Sequence, residues 1–195
     1  MFISFEGIDG SGKSTLARRL ADHLGAVLTR EPGGSEGAEE IRRLLVTGDT
    51  SRWSPETEIL LFTAARRDHL EKTIQPALDA GRTVITDRFA DSTRVYQGVA
   101  RSDLQPMVDR LHSLMIGREP DLTFVIDLDP EIALERGLAR KSGEDRFEEF
   151  GLGFQQALRE GFRALAQTAP RFRLIDGQGS ADEVFARLLP HLEGA

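Results

Sequence analysis

The strongest constraint on this chain lies near its amino-terminal end. The apolar run Phe2–Phe5 leads into Gly7-Ile8-Asp9-Gly10-Ser11-Gly12-Lys13-Ser14-Thr15, after which Leu16, Leu20 and Leu24 recur four apart up to Gly25. That spacing puts the three leucines on one helix face, and a glycine is a common helix stop. A buried strand therefore enters a loop of the form Gly-x-x-x-x-Gly-Lys-Ser/Thr, and a helix leaves it. Glycines let such a backbone curl until successive N–H groups point inward at the helix N-terminus, where they cradle an anion. The pattern assigns residues Gly7 to Thr15 to a nucleotide's phosphates, Lys13 to the β- and γ-phosphates and the Ser14 hydroxyl to Mg²⁺. A glycine-rich turn with a chance lysine is the competing explanation. It fits poorly, because only three of the 25 basic residues are lysines (Lys13, Lys72 and Lys141). The excess of arginine is mainly a compositional bias, but it also supplies forks that suit phosphate.

Turn signals recur at regular intervals along the remainder. Short strands are predicted at Ala26–Thr29, Thr83–Thr86, Leu122–Leu128 and Phe172–Ile175. Helices are predicted over 36–46, from the cap Ser54 with Pro55 behind it to Gly81, and after the capping box Ser180-x-x-Glu183. Pro76 should interrupt the long second helix. Strands alternating with helices imply a parallel sheet covered on both faces, and 195 residues suit one domain.

Composition narrows the function. A net charge of -7 argues against a broad grip on nucleic acid. The absence of cysteine excludes disulfides and thiolate chemistry and suits a reducing compartment. No apolar run approaches the ~20 residues that span a bilayer, and the four apolar residues before Glu6 are too few for a signal peptide.

The loop leaves open what happens to the nucleotide. No Asn-Lys-x-Asp tetrad reads a guanine, and the third strand ends in Asp87-Arg88 rather than the Asp-Glu usual in motor ATPases. An acid beside the loop can hold the metal's shell, and the adjacent arginine offers a fork to a second phosphate. This favours a small kinase over a switch. Phe62 and Arg66, four apart on one helix face, could stack a base and bond its edge. Taken alone, the pair reads more readily as a core phenylalanine and a solvated arginine. The run Ser92-Thr93-Arg94-Val95-Tyr96-Gln97-Gly98 adds hydroxyl, phenol and amide groups. Buried Tyr96 would need a partner for its hydroxyl.

Together these motifs resemble the thymidylate kinase family. They are the loop, Thr-Arg-Glu-Pro-Gly-Gly-Ser at 29–35, Leu-Phe-Thr-Ala-Ala-Arg at 61–66, the segment 87–98 from Asp-Arg to Tyr-Gln-Gly, and Asp-Arg-Phe-Glu at 145–148. They follow the family's order across nearly the whole chain. The resemblance implies a P-loop NTPase-type fold, a five-stranded parallel sheet with helices on both faces and a short lid at about 136–149. It implies ATP and Mg²⁺ as donor and cofactor, dTMP as acceptor, a cytoplasmic homodimer and no membrane or nucleic-acid partner. Phe62 would stack on thymine and Arg66 would bond its O4. Arg42 and Arg88 would hold the acceptor phosphate, with Asp9 near that phosphate and the metal. Ser92, Thr93 and Gln97 would line the base edge, Tyr96 would disfavour a 2′-hydroxyl, and the turn from Glu31 to Gly34 would form one pocket wall. Ser14 and Asp87 are the metal residues. Gly10 stands where one branch of the family carries arginine, so the missing charge is expected from lid residues Arg136, Arg140 and Arg146, then Lys141. Asp176–Gly179 is the candidate adenine contact. A deoxynucleoside kinase, with Glu31 as base, and a non-catalytic nucleotide-binding regulator remain the alternatives.

Overall fold

The computed structural model describes residues 1–49, 51–99, 103–138 and 150–192. Five parallel strands, β1 Phe2–Glu6, β2 Val27–Arg30, β3 Val84–Asp87, β4 Leu122–Asp127 and β5 Phe172–Asp176, form one sheet in the order β2-β3-β1-β4-β5. All five side chains of β1 are buried, whereas edge strand β2 alternates between half-buried and exposed positions. That contrast is expected of a parallel sheet covered on both faces. The register pairs Phe5 with Asp87 and Glu6 with Val125, so β3 and β4 end on either side of the glycine loop. Ligands bind open sheets of this kind at the point where the strand order reverses.

Helix α1 (Lys13–Leu24) packs Leu16 and Leu20 against Ile3, Phe5, Ile85 and Phe124 on one face of the sheet. Gly25, in the left-handed conformation, ends it. On the opposite face Ile8, Val125 and Tyr96 meet Leu158 and Phe162 of α8 (Leu152–Leu165). The cap at Ser54 and the capping box at Ser180 both form, opening α3 (Pro55–His69) and α9 (Ala181–Leu188). Helix α2 covers Glu36–Val46. Among the described residues no helix is long and apolar enough to cross a membrane.

The long second helix is divided differently from the sequence expectation. After His69 the chain widens into a π-turn at Leu70–Ile74 before α4 (Gln75–Asp79) resumes. The change therefore begins ahead of Pro76. A proline ring clashes with the carbonyl four residues back, and widening the preceding turn relieves that clash. A second π-turn, Arg94–Val99, follows the short α5 (Ala90–Thr93). Helix α6 (Gln105–Met115) leads to β4, and α7 (Pro130–Leu138) follows it. Arg136 thus lies in the last turn of α7 rather than in a loop, and it is exposed. Arg140, Lys141 and Arg146 lie outside the described residues.

The loop is seated against α7. Gly10 has φ +82°, and a Cβ there would overlap the Ala133 carbonyl. Gly12 has φ +96° but open space around it. Gly12→Ala is expected to cost the left-handed penalty alone, about 1–2 kcal/mol. Gly10→Ala should cost about 1–3 kcal/mol more, from the overlap with α7. Denaturant midpoints of the two variants measure the difference.

Candidate active site

A cavity of about 300 Å³ opens at the carboxyl ends of β1, β2 and β3. The loop supplies Asp9, Gly10, Gly12, Lys13 and Ser14 to its wall. No side chain caps the start of α1, so the helix end is open toward that wall. Lys13 Nζ donates to the Ile8 carbonyl at 2.8 Å and lies 3.8 Å from Asp9 Oδ1. Burial and the nearby Arg88 push this ammonium down to about 8, against the pull of Asp9, Asp87 and Glu6.

The Ser14 hydroxyl donates to Asp87 Oδ2, and Asp87 Oδ1 is buried without a partner. An orphaned carboxylate oxygen beside a hydroxyl is the hard oxygen set that magnesium takes. Among the described residues no group of three or more acids or histidines could cage a metal. Phosphate oxygens and water would then complete the shell, as is usual for this ion.

Arg88 is the hub of the cavity. It is the one non-glycine residue at positive φ among those described, at +71°. Nη1 donates to the Gly7 carbonyl at 3.1 Å and to Ser92 Oγ at 2.8 Å, and Nη2 donates to Asp9 and to the Tyr96 hydroxyl. The Tyr96 hydroxyl in turn donates to Asp9 Oδ2 at 2.8 Å, which supplies the partner its burial demands. Burial favours neutral Asp9, but Arg88 and Lys13, with hydrogen bonds from Tyr96 and Arg88, outweigh it and hold the carboxyl well below the usual range. Arg88 itself stays charged, because Asp9 and its other acidic neighbours overcome its burial.

The opposite wall comes from α2, α3 and the turn after β2. Phe62 and Arg66 share it with Arg42, whose Nη1 donates to the Pro32 carbonyl at 2.6 Å. Arg66 is buried, with Nε on Glu31 Oε2 at 2.7 Å and Nη2 on the Phe89 carbonyl and Thr93 Oγ1. Glu31 spends its other oxygen on His69 Nδ1 at 3.1 Å, so its carboxylate holds Arg66 and His69 in place. Gln97 donates to Glu58 Oε2 at 3.0 Å.

The structure thus gathers Asp9, Lys13, Ser14, Glu31, Arg42, Phe62, Arg66, Asp87, Arg88, Ser92, Thr93, Tyr96 and Gln97 at one cavity. Gly7 and Ile8 serve it through their carbonyls, and Ser11 and Thr15 do not line it. The Asp176–Gly179 turn is tied to the end of β4 by Gly177 N–H on the Asp127 carbonyl at 2.7 Å, outside the cavity wall. Glu31 and Pro32 of the expected wall turn line the cavity, whereas Arg30, Val46 and Phe89 line it without having been singled out. The register of Arg30 opposite Asp87, at the end of the strand beside β3, is the signal that marks it.

The family model described as Thymidylate kinase covers residues 5–188. This chain belongs to the thymidylate kinase family. A thymidylate kinase of Dinoroseobacter shibae is 72% identical, covering 97% of this chain and 95% of that one. The thymidylate kinase of Caulobacter vibrioides is 49% identical over 96% and 93%. The crystal structure of thymidylate kinase from Ehrlichia chaffeensis superposes with a TM-score of 0.79 at 36% identity, covering 98% of each chain. Within the family frame, the buried Glu31–Arg66 pair is a test of how this wall is held. Both side chains are almost fully enclosed, at 3% and 4% exposure. Removing one partner strands the other charge, so Glu31→Ala should lose about 3–5 kcal/mol in chemical denaturation.

Proposed function

We propose that this cavity carries out in-line transfer of the γ-phosphoryl group of Mg-ATP to the phosphate of dTMP, with the residue roles set out below. As a thymidylate kinase the protein phosphorylates dTMP to dTDP with ATP as donor. The observation that carries the residue assignment is the joining of loop and acceptor segment by one guanidinium, Arg88, between Asp9 on one side and Ser92 and Tyr96 on the other.

The acceptor is already an anionic phosphate oxygen, so no strong base is needed. Catalysis then rests on position and on fixed charge. Loop N–H groups and Lys13 bind the donor's phosphates. Ser14 and Asp87 would hold Mg²⁺, which neutralises phosphate charge when bound. Arg88 and Arg42 receive the acceptor phosphate, and Arg88 enters the reaction with its orientation already set by protein groups. Phe62 offers a stacking face to the base, Arg66 a donor to a carbonyl edge, and Ser92, Thr93 and Gln97 line the remainder. Tyr96, locked between Asp9 and Arg88, stands at the sugar. Charge stabilisation is assigned to Arg136 from the last turn of α7 and to Arg140 and Arg146 from the lid. A cytoplasmic location, where ATP and Mg²⁺ are at hand, is part of the same proposal. The reading is supported against a deoxynucleoside kinase by Glu31, whose two oxygens are occupied by Arg66 and His69 rather than presented as a base.

A homodimer is proposed through α3 and α6. These helices are joined by Arg67 Nη1 on the Met115 carbonyl at 2.9 Å, and Leu60, Met107, Leu114 and Met115 stand exposed on them. Sedimentation of Leu114→Arg should give a monomer where the unmodified protein sediments as a dimer.

Arg88→Ala should lower kcat/KM for dTMP on the order of 10³-fold, the scale of losing an arginine aimed at a transferring phosphoryl group. Its ATP affinity, measured by titration calorimetry, should change little. Equal losses in both quantities would sink the role assigned to Arg88, and thymidine phosphorylated in preference to dTMP would overturn the acceptor.

A further inference from the structure

Behind Arg88 lies a charge that the reaction does not touch. Glu6 ends β1 and is fully enclosed. Its Oε1 accepts the Phe89 N–H at 2.8 Å and its Oε2 accepts the Ser92 hydroxyl at 2.6 Å. Ser92 Oγ is also the atom to which Arg88 Nη1 donates at 2.8 Å. Arg88 stands between these two anchors with a left-handed backbone, φ +71°, that side chains rarely adopt. Such a conformation persists only where surroundings over-determine it. One anchor grips the backbone immediately after Arg88, and the other grips the hydroxyl that receives its guanidinium.

We propose that Glu6 is a positioning residue of the acceptor site: through Phe89 N–H and Ser92 Oγ its carboxylate holds Arg88 turned toward the acceptor phosphate. The inference rests on the role given to Arg88 above. The geometry requires an acceptor at both oxygens, which the ionised carboxylate supplies and an amide does not.

The ionised form is held at a cost to the fold. Burial and the neighbouring Asp91 raise the Glu6 carboxyl from 4.5 to about 7, against Arg88 and the hydrogen bonds from Ser92 and Phe89. The charged groups facing it are Arg88 from the turn after β3, Asp91 from α5 and Lys13 from the start of α1. With the folded value above the unfolded one, the stabilisation from the neutral acid is complete below about 4.5. It is lost as pH rises through about 7.

The test is Glu6→Gln beside Arg88→Ala and the unmodified enzyme. Glu6→Gln should lower kcat/KM for dTMP on the order of ten-fold, leave KM for ATP unchanged, and match or exceed the unmodified melting temperature at pH 8. In the unmodified enzyme the acidic limb of kcat/KM for dTMP should fall at about 7. In Glu6→Gln it should retreat to about 6, where a phosphate monoester takes up its own proton. Unchanged kcat/KM for dTMP in Glu6→Gln, with Arg88→Ala impaired, overturns the role of Glu6 alone. Unchanged kcat/KM for dTMP in Arg88→Ala overturns the reading beneath it. A lower melting temperature with dTMP kinetics intact assigns Glu6 to the fold only and also overturns the proposal. The pH profile of the unmodified enzyme needs no variant, and an acidic limb at about 6 there counts against the inference even if Glu6→Gln fails to fold.

Discussion

The architecture of the site depends on one backbone turn. At the end of β3 the chain must leave the sheet and send Arg88 back across the carboxyl ends of its neighbours, which it does at φ +71°. A non-glycine residue in that region costs on the order of 1–3 kcal/mol. The surroundings that offset this cost are the Phe89 N–H on Glu6 and a guanidinium bonded to Gly7, Asp9, Ser92 and Tyr96. The same bonds connect the phosphate loop to the acceptor segment. Strain and fold therefore share one set of contacts, and on the proposed roles the donor and acceptor walls cannot shift independently of each other.

A second theme is the use of arginine in a protein of net charge -7. Buried charges come paired both away from the cavity and in its wall. Asp91 is fully buried between Arg94 and Arg171, and Glu119 bonds both of those arginines. Glu31 holds Arg66, and Asp9 holds Arg88. Each of these arginines is paired, as the desolvation cost of an isolated charge requires. Each also spans several partners in a plane, which a lysine ammonium cannot do with the same fixity. The arginine bias in composition thus acquires a structural use. Arg66 reaches Glu31, Phe89 and Thr93 at once, and Arg94 reaches Asp91, Asp109 and Glu119. Pairing leaves these groups oriented before any substrate arrives, which is the arrangement from which electrostatic catalysis draws its strength.

Much of the fold was legible because the signals are local. Leucines four apart, Gly25, the Ser54 cap and the Ser180–Glu183 box each act within one or two turns of chain, and each forms as read. The π-turn at Leu70–Ile74 was not legible in position, because the backbone spread the effect of Pro76 over the turn ahead of it. Phe62 and Arg66 show the limit of periodicity. Their spacing establishes a common face but not whether that face meets solvent, core or ligand. Packing against β3 and the turn after β2 decided that it borders the cavity. Arg30 escaped notice because its meaning lies in a strand register with Asp87, 57 positions on, and no spacing rule reaches across strands. Glu6 and His69 carried no signal of their own, one standing between the predicted strand Phe2–Phe5 and the glycine loop and the other within a predicted helix.

What the sequence determined by itself is the phosphate loop, the alternation of strands and helices and, through its motifs in order, the family. Those follow from backbone freedom at glycine, from hydrophobic period and from residue types at fixed offsets, all of which are properties of short stretches. Only the tertiary structure decided which carboxylates face inward as partners. Glu31 clasps Arg66 and His69, Asp9 clasps Arg88 and Tyr96, and Glu6 sits behind them on Phe89 and Ser92. The reason is physical. A charge's role is set by its burial and by which opposite charge lies within hydrogen-bond reach, and both are fixed by strand order and register rather than by neighbours along the chain.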